Sequence, residues 1–367
     1  MKDFLRLAWL LPILSLVACV GPSNSGYHSN GSHAARENQL RSLGYTSLPL
    51  RKISHDDRYS GRFLVNGQAV DLLIDSGANS TDLDNSLASK LQLRIDENAQ
   101  VISRGALGRP VTSRVGLGVL SAGPVSALPF PFMLATESLG TTATSRYDGQ
   151  VGLDALGALG ALIDIHAGKM WVPSERVQES VTHSINPLGL KNGLGFDVLT
   201  MRPAKTLPHL VLESEWNGRL VTWIVDTGAE VSVLSAESAR ALGLQTRASA
   251  ARIIDASGDN AQARSAFFDN IVFGRLVISE FQVAVIPLPV VRKNFRDLNG
   301  RVVDGIIGMD FLQGSHALLD AGSRLLYVGE PSAATGDRRE LAKISHEFPK
   351  NAQLGFHFAF EGESGNK

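Results

Sequence analysis

Two short stretches carry residues suited to chemistry, Asp75-Ser76-Gly77-Ala78 and Asp226-Thr227-Gly228-Ala229. Each closes a mainly apolar run. The glycine lets the backbone bend tightly behind the carboxylate, and amide N–H groups in that bend can fix its orientation. The Ser76 and Thr227 hydroxyls, each donor and acceptor, can tie one loop to the other across a two-fold axis. Two such loops meeting on an axis would set two carboxylates side by side. Like charges that close cannot both ionise at neutral pH, so the pair would share a proton. The ionised member can then take a proton from water while the protonated member polarises a carbonyl. The pair titrates as a unit, so neither aspartate is assigned as acid or base. A single Asp-(Ser/Thr)-Gly is mostly just a turn; the weight comes from its surroundings.

Those surroundings repeat. Residues 66–78 align without gaps to 217–229, an offset from 75 to 226 of 151 residues. A second block, Asp148-Gly149-Gln150-Val151-Gly152-Leu153-Asp154, matches Asp304-Gly305-Ile306-Ile307-Gly308-Met309-Asp310. The match continues from 161–164 to 317–320, and from Trp171-Val172 to Tyr327-Val328. Two blocks in one order at similar offsets mean duplication of a whole domain. Between the blocks, 101–105 and 253–258 each lead into a polar turn and fit a β-hairpin. Residues 86–91 and 236–242 show helical spacing. Abundant glycine (36), scarce tryptophan (4) and many short Val/Ile/Leu runs favour a turn-rich, mostly all-β protein.

Asp226-Thr227-Gly228-Ala229, followed by Ser232, Val233 and Leu234, resembles the active-site loop of retropepsin-like aspartic peptidases. Asp75-Ser76-Gly77-Ala78, with Thr81 and Leu83, is similar. Val151-Gly152 and Ile307-Gly308 resemble that family's second signature, an apolar pair and glycine packed behind the catalytic loop. The hairpins correspond to flaps. The resemblance spans residues 45–330 and implies two tandem retropepsin- or pepsin-like β-barrel lobes, 45–180 and 181–330, with the active site between them. It implies catalytic Asp75 and Asp226, supported by Ser76, Gly77, Ala78, Thr227, Gly228 and Ala229. It implies an endopeptidase acting on an extended peptide or protein, as a two-lobed monomer, with no metal and no cofactor. Ala78 and Ala229 stand where pepsin-like enzymes often carry a hydroxyl that stabilises the ionised carboxylate. Its absence should leave the dyad less acidic and set activity at weakly acidic to neutral pH. Three features depart from the pattern: Ser76 replaces threonine, Gln150 takes an apolar place, and Asp82 and Asp84 crowd the first loop. The alternative is a non-catalytic envelope lipoprotein that holds an extended peptide in the same cleft by strand addition.

The chain has 367 residues, 44% apolar and 19% charged, with a formal net charge of −1. That is the make-up of a packed globular protein, and no basic excess points to nucleic acid. The sole cysteine, Cys19, excludes an internal disulfide and a thiolate-rich zinc site. It follows a positive start (Lys2, Arg6) and an apolar stretch, which together read as a signal peptide over 1–18. Leu16-Val17-Ala18-Cys19 resembles the bacterial lipobox, whose cysteine is lipidated. Each buried acyl CH₂ contributes about 0.8 kcal/mol, so several chains hold a protein firmly to a bilayer. Val20 after the cysteine implies the periplasmic face of the outer membrane. Residues 19–44 read as a lipidated cysteine and flexible tether. Residues 331–367 read as a polar tail whose apolar run, 354–360, could add an edge strand. Asp148, Asp154, Asp164, Asp304, Asp310 and Asp320 are read as turn and cap residues. His166 and His316 show no ligand or relay pattern.

Overall fold

The computed structural model describes residues 30–53, 57–135, 147–174, 196–205, 207–329, 339–341 and 343–361. Cys19 and the signal segment lie outside them. Each lobe contains the same hairpin. Tyr59–Val65 and Gln68–Ile74 turn on Asn66-Gly67; Leu210–Trp216 and Arg219–Val225 turn on Asn217-Gly218. All four turn residues have φ between 48° and 79°, the two-residue Asn-Gly turn whose twist suits a hairpin.

The second strand of each hairpin delivers an aspartate. Gln68–Ile74 pairs in parallel with Gly149–Val151, and Arg219–Val225 with Gly305–Ile307. The short partner strands are the second repeated block, and each runs on into a helix, Leu153–Ala158 or Met309–Gly314. Each lobe also carries a long hairpin: Arg94–Gly105 with Pro110–Ala122, and Arg247–Asp255 with Asn260–Phe273. Both hairpins shift register near their base, at Asp96/Gln100 and Ala248/Arg252. Such irregularities increase twist and bend a hairpin, here over the face that holds the aspartates.

The lobes share a six-stranded antiparallel sheet, in the order Asp197–Thr200, Leu325–Val328, Leu318–Asp320, Leu162–Asp164, Lys169–Pro173, Tyr45–Lys52. At its centre Ile163 lies opposite Leu319, one repeat against the other. Trp171 and Tyr327, also matched in the repeat, are both fully buried there with Phe196 and Leu40. A continuous apolar cluster extends from Phe63, Leu83 and Phe132 in the first lobe to Trp223, Phe268, Phe281 and Phe311 in the second. The duplicated, mostly β architecture therefore stands as expected.

Three expectations need correction. First, residues 30–42 are not tether but helix, Asn30–Ser42. Ala34, Ala35, Glu37, Gln39, Leu40 and Arg41 are good helix formers, and Gly44, at φ 85°, closes the end. Its few apolar atoms suffice because the two lobes supply the rest of the contact. Leu40 is buried, and Arg36 reaches Asp164 Oδ1 at 2.8 Å while lying 4.4 Å from the Phe196 ring centroid. Second, 331–367 is not simply a polar tail. Asn351–Leu354 adds parallel to Arg247–Asp255, and His357–Glu361 adds antiparallel to Arg94–Gly105. The apolar run does add strand at an edge, as expected, and in two places: Asn351–Leu354 ends one sheet beside Arg247–Asp255, and His357–Glu361 ends the other beside Arg94–Gly105. Third, 86–91 holds only a single 3₁₀ turn, Asn85–Leu87, capped by Asp84. Its counterpart, Ala236–Leu242, is the expected helix, capped by Ser235 and ended by Gly243.

Candidate active site

Asp75 and Asp226 meet where the lobes meet. Asp75 N–H donates to Val151 O at 3.0 Å and Asp226 N–H to Ile307 O at 2.9 Å, so the parallel pairings continue into the loops. Each carboxylate accepts from the amide two residues on: Gly77 N–H to Asp75 Oδ1, and Gly228 N–H to Asp226 Oδ1, both 2.8 Å. Glycine is needed at these positions for room rather than for backbone bend. Neither takes a left-handed φ, but a methyl group on Gly77 would stand 2.3 Å from Asp226 Cγ. One on Gly228 would stand 2.5 Å from Asp75 Cγ. Each loop glycine thus makes space for the other lobe's carboxylate. Ala78 and Ala229, both fully buried, back the loops and bring no hydroxyl to either carboxylate.

The hydroxyls lock the loops reciprocally. Ser76 N–H donates to Thr227 Oγ1 (2.9 Å), and Thr227 Oγ1 donates to Ile74 O (2.9 Å). Thr227 N–H donates to Ser76 Oγ (3.0 Å), and Ser76 Oγ donates to Val225 O (2.9 Å). Serine serves as well as threonine here because only the hydroxyl takes part.

A second pair of carboxylates braces the loops from behind. Asp154 accepts from Thr81 Oγ1 (2.7 Å) and N–H (3.0 Å); Asp310 accepts from Ser232 Oγ (2.6 Å) and N–H (2.8 Å). These recurring aspartates are loop braces rather than simple caps. Asp148 and Asp304 likewise accept from the Asp71 and Thr222 N–H groups across the parallel pairing. The Gln150 and Asp82 departures explain each other, since Gln150 Nε2 donates to Asp82 Oδ2 at 3.0 Å in a buried pair.

Four contributors went unnoticed in the sequence. Arg58 Nη1 donates to Gly228 O at 3.2 Å, from the first lobe into the second lobe's loop. His209 Nε2 lies 3.0 Å from Gly77 O, in the opposite sense, and a carbonyl partner puts the proton on that nitrogen. Glu230, 4.0 Å from Arg58, and Asn79 follow the alanines of the two Asp-(Ser/Thr)-Gly-Ala loops. Arg58 with His209, and Asn79 with Glu230, are each 151 residues apart. Extending the gapless alignment in both directions would have found them; unlike side chains at equivalent places hid the match.

Both aspartates are fully buried. Burial, then the Asp226 charge and hydrogen bond, push the Asp75 carboxyl well above the usual carboxylate range, against the Gly77 N–H and the Arg58 guanidinium. Burial pushes Asp226 up to about 6, restrained by its hydrogen bond with Asp75, the Gly228 N–H and Arg58. The pair therefore retains a proton at weakly acidic pH and above, the state in which one group can act as acid while the other acts as base. Among the described residues no group of three or more His, Cys, Asp or Glu is placed to hold a metal ion.

The long hairpins close over this floor. Leu107 N–H, at one tip, donates to Asp255 Oδ2 on the other at 2.8 Å. They are the two flaps.

The family model described as aspartyl protease matches residues 62–155 and 212–311, together more than half of the chain and one match per lobe. No curated protein matches. Among solved structures, the crystal structure of an aspartic proteinase from Irpex lacteus shows a loose likeness. It has a TM-score of 0.44 and 14% identity, over 80% of this chain and 100% of that one. Matched once in each half, the chain belongs to the aspartyl protease family.

Proposed function

We propose that the chain is an aspartic endopeptidase that hydrolyses peptide bonds with a water activated by the Asp75/Asp226 dyad. The observation that carries this reading is the pair of buried carboxylates, each seated against the other loop's glycine and raised in pKa by burial. In the reaction the ionised carboxylate takes a proton from water as its oxygen adds to the scissile carbonyl carbon. The protonated carboxyl hydrogen-bonds the carbonyl oxygen as it gains charge. The tetrahedral adduct then collapses, the C–N bond breaks, and the amine leaves with a proton from the dyad. Water is the nucleophile, so no cofactor enters. The substrate is an extended peptide laid between floor and flaps, where main-chain pairing gives affinity and side-chain pockets give selectivity.

The test is cleavage of a diverse peptide mixture from acidic to neutral pH, read by mass spectrometry beside Asp75→Asn and Asp226→Asn. Cleavage abolished in both variants supports the shared dyad. Cleavage that survives Asp75→Asn refutes it, and a cleft that binds peptides without cutting any returns the non-catalytic alternative. We also propose that Cys19 anchors the protein to the envelope, facing the periplasm. Loss of membrane association in Cys19→Ala supports this, and unchanged fractionation refutes it.

A further inference from the structure

The cleft that the flaps close already contains a peptide, and it is the chain's own. Residues 351–361, Asn-Ala-Gln-Leu-Gly-Phe-His-Phe-Ala-Phe-Glu, run between dyad and flaps as two strands joined at Gly355-Phe356. From above, Arg252 to Asp255 pair with Asn351 to Leu354, and Val101 to Gly105 with His357 to Glu361. From below, the loop positions equivalent in the two lobes grip its backbone. Glu230 N–H donates to Gln353 O at 2.9 Å. Asn79 Nδ2 donates to Ala359 O at 3.0 Å, and Ala359 N–H donates to Asn79 Oδ1 at 2.7 Å. The two grips stand three residues either side of Phe356. Ala352, Leu354, Phe356 and Phe358 are buried, and the Phe356 ring lies 5.2 Å from both Phe295 and His209.

Over the dyad the stretch narrows to glycine. A methyl group on Gly355 would stand 2.5 Å from Gly228 Cα and 2.6 Å from Asp75 Oδ2, although its φ is not left-handed. Glycine is therefore there for closeness, not for a turn. The Phe356 N–H is directed at Asp226 and favours its ionised form. An N–H held on a dyad carboxylate occupies an oxygen that the attacking water would otherwise approach, an unproductive contact.

We propose that residues 351–361 are a tethered peptide ligand of the cleft, which excludes substrate until it withdraws. The inference rests on the cleft being a peptidase site. A short tether holds its segment at an effective concentration on the order of mM. A segment that binds on the order of 0.1 mM by itself would then leave only about one cleft in ten open. Releasing it should raise the cleavage rate about tenfold.

The experiment compares the full chain with Gly355→Ala, whose added methyl group cannot fit above the dyad. Two readings are taken: the cleavage rate on the peptide mixture, and fluorescence anisotropy of a labelled free peptide of sequence 351–361. The expected result is a rate at least about tenfold higher in Gly355→Ala, which also binds the labelled peptide while the unaltered chain does not. Ala359→Pro, which deletes the N–H given to Asn79, should act in the same direction and serves if Gly355→Ala does not fold. Binding of the labelled peptide by the variant without cleavage by either protein upholds the ligand and removes the peptidase reading. Equal cleavage rates with no labelled peptide bound overturn the ligand and leave the peptidase reading standing. A cut within 351–361 in the stored unaltered chain also overturns it, because a ligand that is cut is a substrate.

Discussion

Replacing Asp226 by asparagine should abolish cleavage and, at neutral pH, make the protein harder to unfold. The carboxyl titrates near 3.9 in an unfolded chain and at about 6 in the folded protein, mainly because it is buried. The folded state therefore holds a proton that the unfolded state gives up. Stability falls as pH rises between those values and stays lowered above about 6. A difference of about 2 units at 1.36 kcal/mol each makes that loss ~3 kcal/mol. Asparagine has no proton to lose, keeps the volume, and can still accept from Gly228 N–H. Its amide can also donate towards Asp75 Oδ2, a buried oxygen without a well-formed hydrogen bond. For a chain of this length roughly 2 °C accompanies each kcal/mol. Asp226→Asn should melt about 5 °C above the unaltered protein near pH 7.5 and within about 1 °C of it near pH 4. Differential scanning calorimetry at the two pH values reads this directly. A variant that melts no higher near pH 7.5, or by the same margin at both pH values, would refute burial as the origin of the raised pKa.

Thr227→Val removes the hydroxyl but not the volume, leaving Ile74 O and Ser76 N–H buried without partners. At about 1–3 kcal/mol for each such group, urea unfolding should show a loss of roughly 2–6 kcal/mol, while Thr227→Ser stays near the unaltered value. Arg58→Met takes away a positive charge that lowers both dyad pKa values. Both limbs of its pH–rate profile should therefore move to higher pH, and a profile that does not move would show that the guanidinium only braces the loop. Arg36→Met leaves the buried Asp164 carboxylate without its ion partner, at a cost of about 3–5 kcal/mol. Adding Asp164→Asn should recover part of that in the melting temperature.

What the sequence disclosed depends on how often each feature occurs in it. The Asp-(Ser/Thr)-Gly loops, the parallel strands behind them, the Asn-Gly hairpins and the strands that meet at Ile163 and Leu319 each occur twice. A duplicated pattern exposes them even where single motifs are weak. Arg58 and His209 are duplicated in position and in task, both bracing the opposite loop's glycine carbonyl. They are not duplicated in type, so no comparison of residues revealed them. The helix Asn30–Ser42 and the stretch 351–361 have no second copy. The helix is polar by composition and the stretch 351–361 carries only a short apolar run; the lobes supply most of the apolar surface that both pack on. Arg36 is buried by meeting Asp164 across 128 residues, a pairing that local propensity cannot register. The dyad illustrates the same division. The repeat shows that two aspartates converge, but their complete burial depends on a single-copy strand crossing above them. How acidic the pair is therefore follows from a segment whose own composition suggests no more than an edge strand. Removing that segment should lower the Asp75 pKa, since water would return to the carboxylate and favour its charged form, while at Asp226 the loss of the Phe356 N–H opposes the same effect.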